Sequence, residues 1–260
     1  MNYSSSEHIS IAQDDRVLRV RFNRPDKKNA ITRDMYSTLA AAIEQANQDP
    51  VVRVILIEGS SGCFTSGNDL ADFMNAPQTG SDSPVGRFLE VASTTPKPLM
   101  AAVTGIAVGI GTTLLLHCDL VYASESAQFN MPFVNLGLVP EFASSLLLPQ
   151  LMGHRRAAEL LMFGKRFDAT TAKELGVINE IFPDDTIVDD ALTRAHQLGE
   201  QPPSALRQTK QLMKQAVLGD IARQIEIEGK HFAQMLTAPE AKEAFQAFME
   251  KRKPDFSGFE

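Results

Sequence analysis

The chain has 260 residues, 43% of them hydrophobic, and carries 25 Lys and Arg against 32 Asp and Glu for a formal charge of −7. That length and apolar content suffice for one large domain with its own core plus a helical tail. The acidic balance argues against nucleic acid or an anionic membrane surface as a general partner, since both select basic faces, although a local basic patch can still bind a phosphate. Cys63 and Cys118 lie too far apart in sequence for a chelating pair and read as reduced, buried thiols. The opening MNYSSSEHIS has neither the basic start nor the apolar stretch of a signal peptide. Gly, Thr, His and Asp interrupt every apolar run before the roughly 18 residues a membrane helix needs. The expectation is a soluble, cytoplasmic protein with no membrane span.

In chain order, Arg16 to Phe22 alternates Leu18, Val20 and Phe22 with Arg19 and Arg21, as a strand with one wet face does. NRPDKKNAIT follows, a turn carrying Arg24, Lys27 and Lys28, which is either a solvated loop or a phosphate clamp. Met35, Leu39 and Ile43 recur every four residues from Thr32 to Gln48 with Pro50 beyond, which predicts an amphipathic helix. The β-branched run Val51 to Ile57 predicts a buried strand. Strand, helix, strand with short connections implies parallel pairing, so the fold class is α/β.

GSSGCFTSGNDLADF then places Gly59, Gly62 and Gly67 before a helix starting near Asp69, itself either an N-cap or a ligand contact. Met74 to Val85, with Pro77, Gly80 and Pro84, predicts a mobile loop. Leu99 to Val103 predicts a third strand and Leu120 to Ala123 a fourth. Between them, Gly105, Gly109 and Gly111 open a helix that runs to His117. A glycine turn feeding a helix exposes unpaired backbone N–H groups, which suit an anion or a developing oxyanion. His117 has no second ligand at metal spacing and is expected to be a satisfied histidine at a helix end, and Asp119 to cap or pair locally. Phe129, Met131, Phe133 and Val134 form an apolar wall suited to an acyl chain. Glu141 stands out in a stretch nearly free of charge. It is either a proton carrier or a carboxylate serving the N-terminus of the helix from Ser144.

Beyond Gly153 the chain is helical. A helix over Arg155 to Phe163 is followed by Asp168 as an N-cap, Gly176 as a stop and a short strand from Val177. Helices follow over Pro202 to Ala216 with Ser204 as N-cap, over Asp220 to Leu236 carrying Ile221, Ile225 and Phe232, and from a capping box at Thr237 to Glu240. The organisation expected is a main domain over residues 1–200 and a helical region over 201–260 that packs on it or on a neighbouring subunit.

This order of features resembles the crotonase, or enoyl-CoA hydratase/isomerase, superfamily over almost the whole chain. NRPDKKNAIT looks like its first coenzyme A loop. GCFTSGNDL and AAVTGIAVGIGTTLLLHCDLVYASESAQF look like its two oxyanion loops. The resemblance implies a spiral of repeated ββα units closed by a helical region that makes trimers or dimers of trimers. It assigns the backbone N–H groups of Ser66 and Ile110 to the thioester oxygen. It also lines the coenzyme A path with Lys27, Lys28, Asn29 and Ala30, cradles the adenine with Ser66, Gly67, Asn68, Asp69 and Leu70, and sends Lys251 toward a phosphate. No cofactor is implied, since coenzyme A is part of the substrate.

Hydratases of the family use two glutamates to activate water, and the matching positions here are Thr113 and Phe133. Glu141, directly after Pro140, instead resembles the Δ3,Δ2-enoyl-CoA isomerases. The implied activity is transposition of a double bond of an acyl-CoA with Glu141 as the single acid/base. The alternatives are another crotonase-family isomerase or hydratase of a catabolic pathway, and a non-catalytic acyl-CoA-binding protein.

Overall fold

In a computed structural model of the chain, residues 3–69, 71–72, 80 and 82–259 are described. Leu70 and most of the predicted loop 74–85 lie outside them. Strands β1 (Ile9–Asp14) and β2 (Val17–Phe22) form an antiparallel hairpin, and β2 begins a parallel series through β3 (Val54–Glu58), β4 (Leu99–Val103), β6 (Leu120–Ser124) and β9 (Glu180–Phe182). A smaller sheet contains β5 (Ile106–Val108), β7 (Gln128–Asn130) and β8 (Phe167–Asp168), with β5 parallel to β7 and β8 antiparallel to it.

The chain winds as a spiral. A strand enters the large sheet, the next segment enters the small one, and a helix returns. β4, β5 and the helical segment from Ile110 make one such turn. β3 makes another, with Thr65 bridging Ala107 in place of a full strand. The interior of β3 and β4 is buried on both faces, which explains their unbroken apolar runs. On one face Ile55, Ile57, Ala101 and Val103 join the main core with Met35, Leu39 and Ile43 of helix α1 (Arg33–Gln48). On the other, Val54, Leu56, Met100 and Ala102 pack against Ile187, Ala191 and Ala195 of an unpredicted helix, Ile187–Gly199.

Several local expectations are corrected. The second face of β2 is not simply wet, because Arg19 and Arg21 both pair with the buried Glu58 of β3. The predicted loop ends by Ser83, whose hydroxyl caps a helix α2 (Pro84–Thr94) with Pro in its first turn. The helix from Pro203 starts after Pro202 without a side-chain cap, so Ser204 is inside it. Thr237 closes the preceding helix, its hydroxyl donating to Gln234 O, and the last helix (Pro239–Met249) starts from Ala238 without a capping box. Asp119 pairs across the fold, with Lys210 at 2.6 Å, and accepts from Leu99 N.

The predicted caps at Thr32 and Asp168 are present. Ala241 and Phe245 of the last helix belong to the main core, which ties the helical region to the sheets. Among the described residues, no helix is long and apolar enough to cross a membrane, and no group of three or more His, Cys, Asp or Glu is placed to hold a metal ion.

Candidate active site

The two glycine loops meet along β5. Thr65 N donates to Ile106 O at 3.0 Å and Val108 N to Thr65 O at 3.1 Å, so the loop holding Ser66 is an added strand of the small sheet. Such contact requires small residues. A Cβ on Gly111 would lie 2.4 Å from Thr65 Cγ2. Gly109 turns the chain into the helix with φ 57° and ψ −120°, a conformation costly for a residue with a side chain. Ile110 is the first residue of the helical segment α3 (Ile110–Thr113), so its own backbone N–H has no intrahelical acceptor.

Ser66 N–H has a partner, the Lys28 carbonyl at 3.0 Å, and its hydroxyl reaches Lys27 O. Ser66 serves a thioester oxygen only by sharing or releasing that bond. Lys28 and Asn29 both have positive φ, and the buried Asn29 side chain fixes their turn. Its amide donates to Cys63 O at 2.7 Å, and its Oδ1 accepts from Arg24 N at 2.8 Å. Asn29 is therefore a clamp between loops. Asn68 accepts from Tyr36 Oη at 2.5 Å, and Asp69 both pairs with Arg24 at 2.6 Å and caps Asp72 N. These side chains are committed within the protein. Lys27, Lys28 and Lys251 are exposed, Ala30 is half-buried and Gly67 is buried.

Helix α4 (Ser144–Met152) is entered through Phe142 and Ala143, both left-handed with φ 58° and 55° and neither a glycine. Each such residue costs on the order of 1 kcal/mol or more, so the turn persists only where its surroundings impose it. His117 Nε2 donates to Phe142 O at 2.8 Å, and the two rings stack with centroids 3.7 Å apart. Burial pulls the His117 pKa down to about 3, which leaves a neutral ring that satisfies the turn, as expected. From the helix Leu218–Leu236, buried Glu228 accepts from Ala143 N at 2.6 Å and from Ser145 N at 3.0 Å. Thus Glu228 caps α4, the duty that was open for Glu141.

Glu141 is left with Thr113, whose hydroxyl donates to its Oε1 at 2.5 Å. Burial pushes the Glu141 pKa up to about 8. The Thr113 hydrogen bond opposes the rise and the charge of Glu228 adds to it. Phe133 is buried in the core, as are Phe129 and Met131, whereas Val134 is exposed and leaves the wall. The sequence signal for Glu228 is legible afterwards. It follows Ile221 and Ile225 at helical spacing and precedes Phe232, so a carboxylate sits on the apolar stripe of an amphipathic helix.

One residue able to exchange a proton near pH 8, hydrogen-bonded to Thr113 of the helical segment that Ile110 opens, is an arrangement for proton transfer next to a polarised carbonyl. The family model described as "Enoyl-CoA hydratase/isomerase" matches residues 12–259. Human enoyl-CoA delta isomerase 2 is 37% identical over 219 residues, covering 80% of this chain and 54% of that protein, so the chain spans about half of that relative's length. The 1,2-epoxyphenylacetyl-CoA isomerase of Escherichia coli is 33% identical over 93% of this chain and 95% of that one. Hydratases are also among the relatives. The solved structure of Pseudomonas aeruginosa OdaA aligns with a TM-score of 0.92 and 49% identity, covering 94% of this chain and 99% of that chain. By sequence and fold together, the chain belongs to the enoyl-CoA hydratase/isomerase family.

Proposed function

We propose that the protein is a Δ3,Δ2-enoyl-CoA isomerase, in which Glu141 alone carries the proton. The observation that bears most on this is that the partner of Glu141 is a threonine hydroxyl, Thr113, at one of the two positions where hydration needs a glutamate. The Glu141 carboxylate takes the α proton of a 3-enoyl thioester, and the C–H electron pair delocalises into a dienolate. The same carboxyl returns the proton at the γ carbon. The dienolate oxygen is held by the Ile110 N–H and by the Ser66 N–H once it leaves Lys28 O, each worth ~3 kcal/mol by analogy with other oxyanion holes. The raised proton affinity of Glu141 suits a group that must act as base and then as acid.

Lys27 and Lys28 supply exposed charge for the phosphates of coenzyme A, with Lys251 a further contributor. No other cofactor is required. The protein assembles as a trimer or a dimer of trimers, and exposed Met162, Phe163, Phe248 and Met249 provide apolar surface for it. Glu141→Gln tests the reading: turnover of a 3-enoyl-CoA is expected to fall by at least a thousandfold with the fold intact, and unchanged turnover overturns it. A folded wild-type protein that binds acyl-CoA yet exchanges no α proton in deuterated water would instead be a binding protein. A second isomerase reading, on a ring-derived acyl-CoA, is favoured by the near full-length match to the epoxyphenylacetyl-CoA isomerase. Comparing a linear 3-enoyl-CoA with a ring-derived acyl-CoA separates the two.

A further inference from the structure

We infer that Glu228, on the helix Leu218–Leu236, is a positioning residue that holds the Glu141 carboxyl in its working place by locking the left-handed turn at Phe142 and Ala143. The inference rests on the reading of Glu141 as the acid/base. Glu228 is 5% exposed, and it lies 87 positions after Glu141 in the chain. Both of its oxygens are spent on the turn: Oε2 accepts from Ala143 N at 2.6 Å, and Oε1 from Ser145 N at 3.0 Å and Ser145 Oγ at 2.5 Å. Gln224, one helical turn earlier, donates to Ser145 Oγ at 2.9 Å and fixes the direction of that hydroxyl.

A carboxylate buried this deeply is costly unless its acceptor sites are filled. Its cost is matched to a turn that two non-glycine residues do not adopt unaided. The turn in question begins at the residue after Glu141. Ser144 closes it, its hydroxyl donating to Glu141 O at 2.7 Å and its N–H at 3.2 Å. Anchoring Ala143 and Ser145 therefore anchors the Glu141 backbone from the far side. The charge of Glu228 also works on the Glu141 carboxyl, in the direction of stronger proton binding. Glu228 thus contributes to the site without touching substrate.

The test is Glu228→Gln in the full chain. Gln keeps the volume but puts an amide donor against a backbone N–H. With a 3-enoyl-CoA as probe, kcat is expected to fall at least tenfold while KM stays within about threefold, because the acyl-CoA contacts are elsewhere. Adding Ala143→Gly, a residue at ease in the left-handed region, should restore at least half of the lost logarithm of kcat. A folded Glu228→Gln with kcat within twofold of wild type overturns the inference, and so does a loss that Ala143→Gly does not relieve. Should Glu228→Gln fail to fold, Glu228→Asp, which withdraws the carboxylate by one methylene, is read by the same kcat and KM split and the same rescue. Glu141→Gln is run in parallel. Its retention of turnover would overturn the acid/base reading itself, whereas its inactivity beside an unaffected Glu228 series would overturn only the positioning role.

Discussion

Thr113 donates its hydroxyl hydrogen to Glu141 Oε1 across 2.5 Å, and this bond opposes the burial that drives the carboxyl toward neutrality. A base has to be ionised to accept a proton, so kcat/KM should rise with pH through a value near 8. Thr113→Val keeps the shape and removes the donor to the ionised form. A hydrogen bond to a charged group contributes about 1.5–3 kcal/mol, equivalent to a shift of about one unit or more. The acid limb of the pH profile should therefore move upward in Thr113→Val, with kcat at pH 7 falling about tenfold. A limb that stays in place would show that this hydroxyl does not govern the Glu141 proton.

The shifts of Glu141 and His117 predict how stability responds to pH. Glu141 has a folded pKa of about 8 against an ordinary value of 4.5. Between those values the unfolded chain ionises it while the folded protein keeps the proton, so stability falls as pH rises, by at most ~1.4 kcal/mol per unit. His117 works in the other direction. Its folded pKa of about 3 against 6.5 means that the stability of the neutral ring is fully present above pH 6.5 and is lost as pH falls toward 3. Urea unfolding of Glu141→Gln and wild type at pH 5 and pH 8.5 should show the variant gaining on the wild type at the higher pH. Parallel curves at both pH values would contradict the half-buried, proton-holding carboxyl.

The parts of the fold readable from sequence were those whose residues carry a period or a local partner. Helix α1 was readable from Met35, Leu39 and Ile43, and β4 from its unbroken apolar run. The strand pairing of Ile106–Val108 was not, because three residues between glycines have no period, and they become a strand only by lying against Thr65 and Phe129. Glu141 was legible as the acid that stands out in a stretch nearly free of charge, and Thr113 as one residue standing where hydration needs an acid. Their direct contact was not, since 28 positions of chain separate them. Glu228, and the part Asn29 plays between loops, were missed for one reason. Each is a polar side chain whose partners are backbone groups of distant loops, and sequence patterns carry no record of such partners.

The contact between the two glycine loops gives a prediction about packing alone. A methyl group at Gly111 would sit 2.4 Å from Thr65 Cγ2 and 3.4 Å from Thr65 O. Gly111→Ala should cost about 1–3 kcal/mol through overpacking. It should also push Ser66 away from Ile110 and reduce turnover. Thr65→Ser removes the offending methyl while keeping the hydroxyl that donates to Asn29 O at 2.7 Å and accepts from Gly67 N at 3.1 Å. The double variant should recover more than half of the lost stability and activity. Additive losses in the two variants would place the origin of the Gly111 requirement elsewhere.

Lys210 joins the helical region to the sheet from within the protein. Its ammonium donates to Asp119 at 2.6 Å and to Lys97 O at 2.7 Å, with only 7% of its side chain exposed. Lys214, one turn on, donates to His117 O at 2.9 Å and lies 4.0 Å from Asp119, so it compensates the carboxylate only in part. Removing one member of a buried pair leaves the other uncompensated, which typically costs about 3–5 kcal/mol. Lys210→Met should therefore lower stability by about 3 kcal/mol, somewhat less than an isolated pair would lose. Asp119→Asn retains an acceptor for Leu99 N and removes the orphaned charge. The double variant should be less destabilised than the sum of the two singles by about 1–2 kcal/mol in a urea double-mutant cycle. Coupling below about 0.5 kcal/mol would mean that the pair is screened and does little to hold the helical region to the sheet.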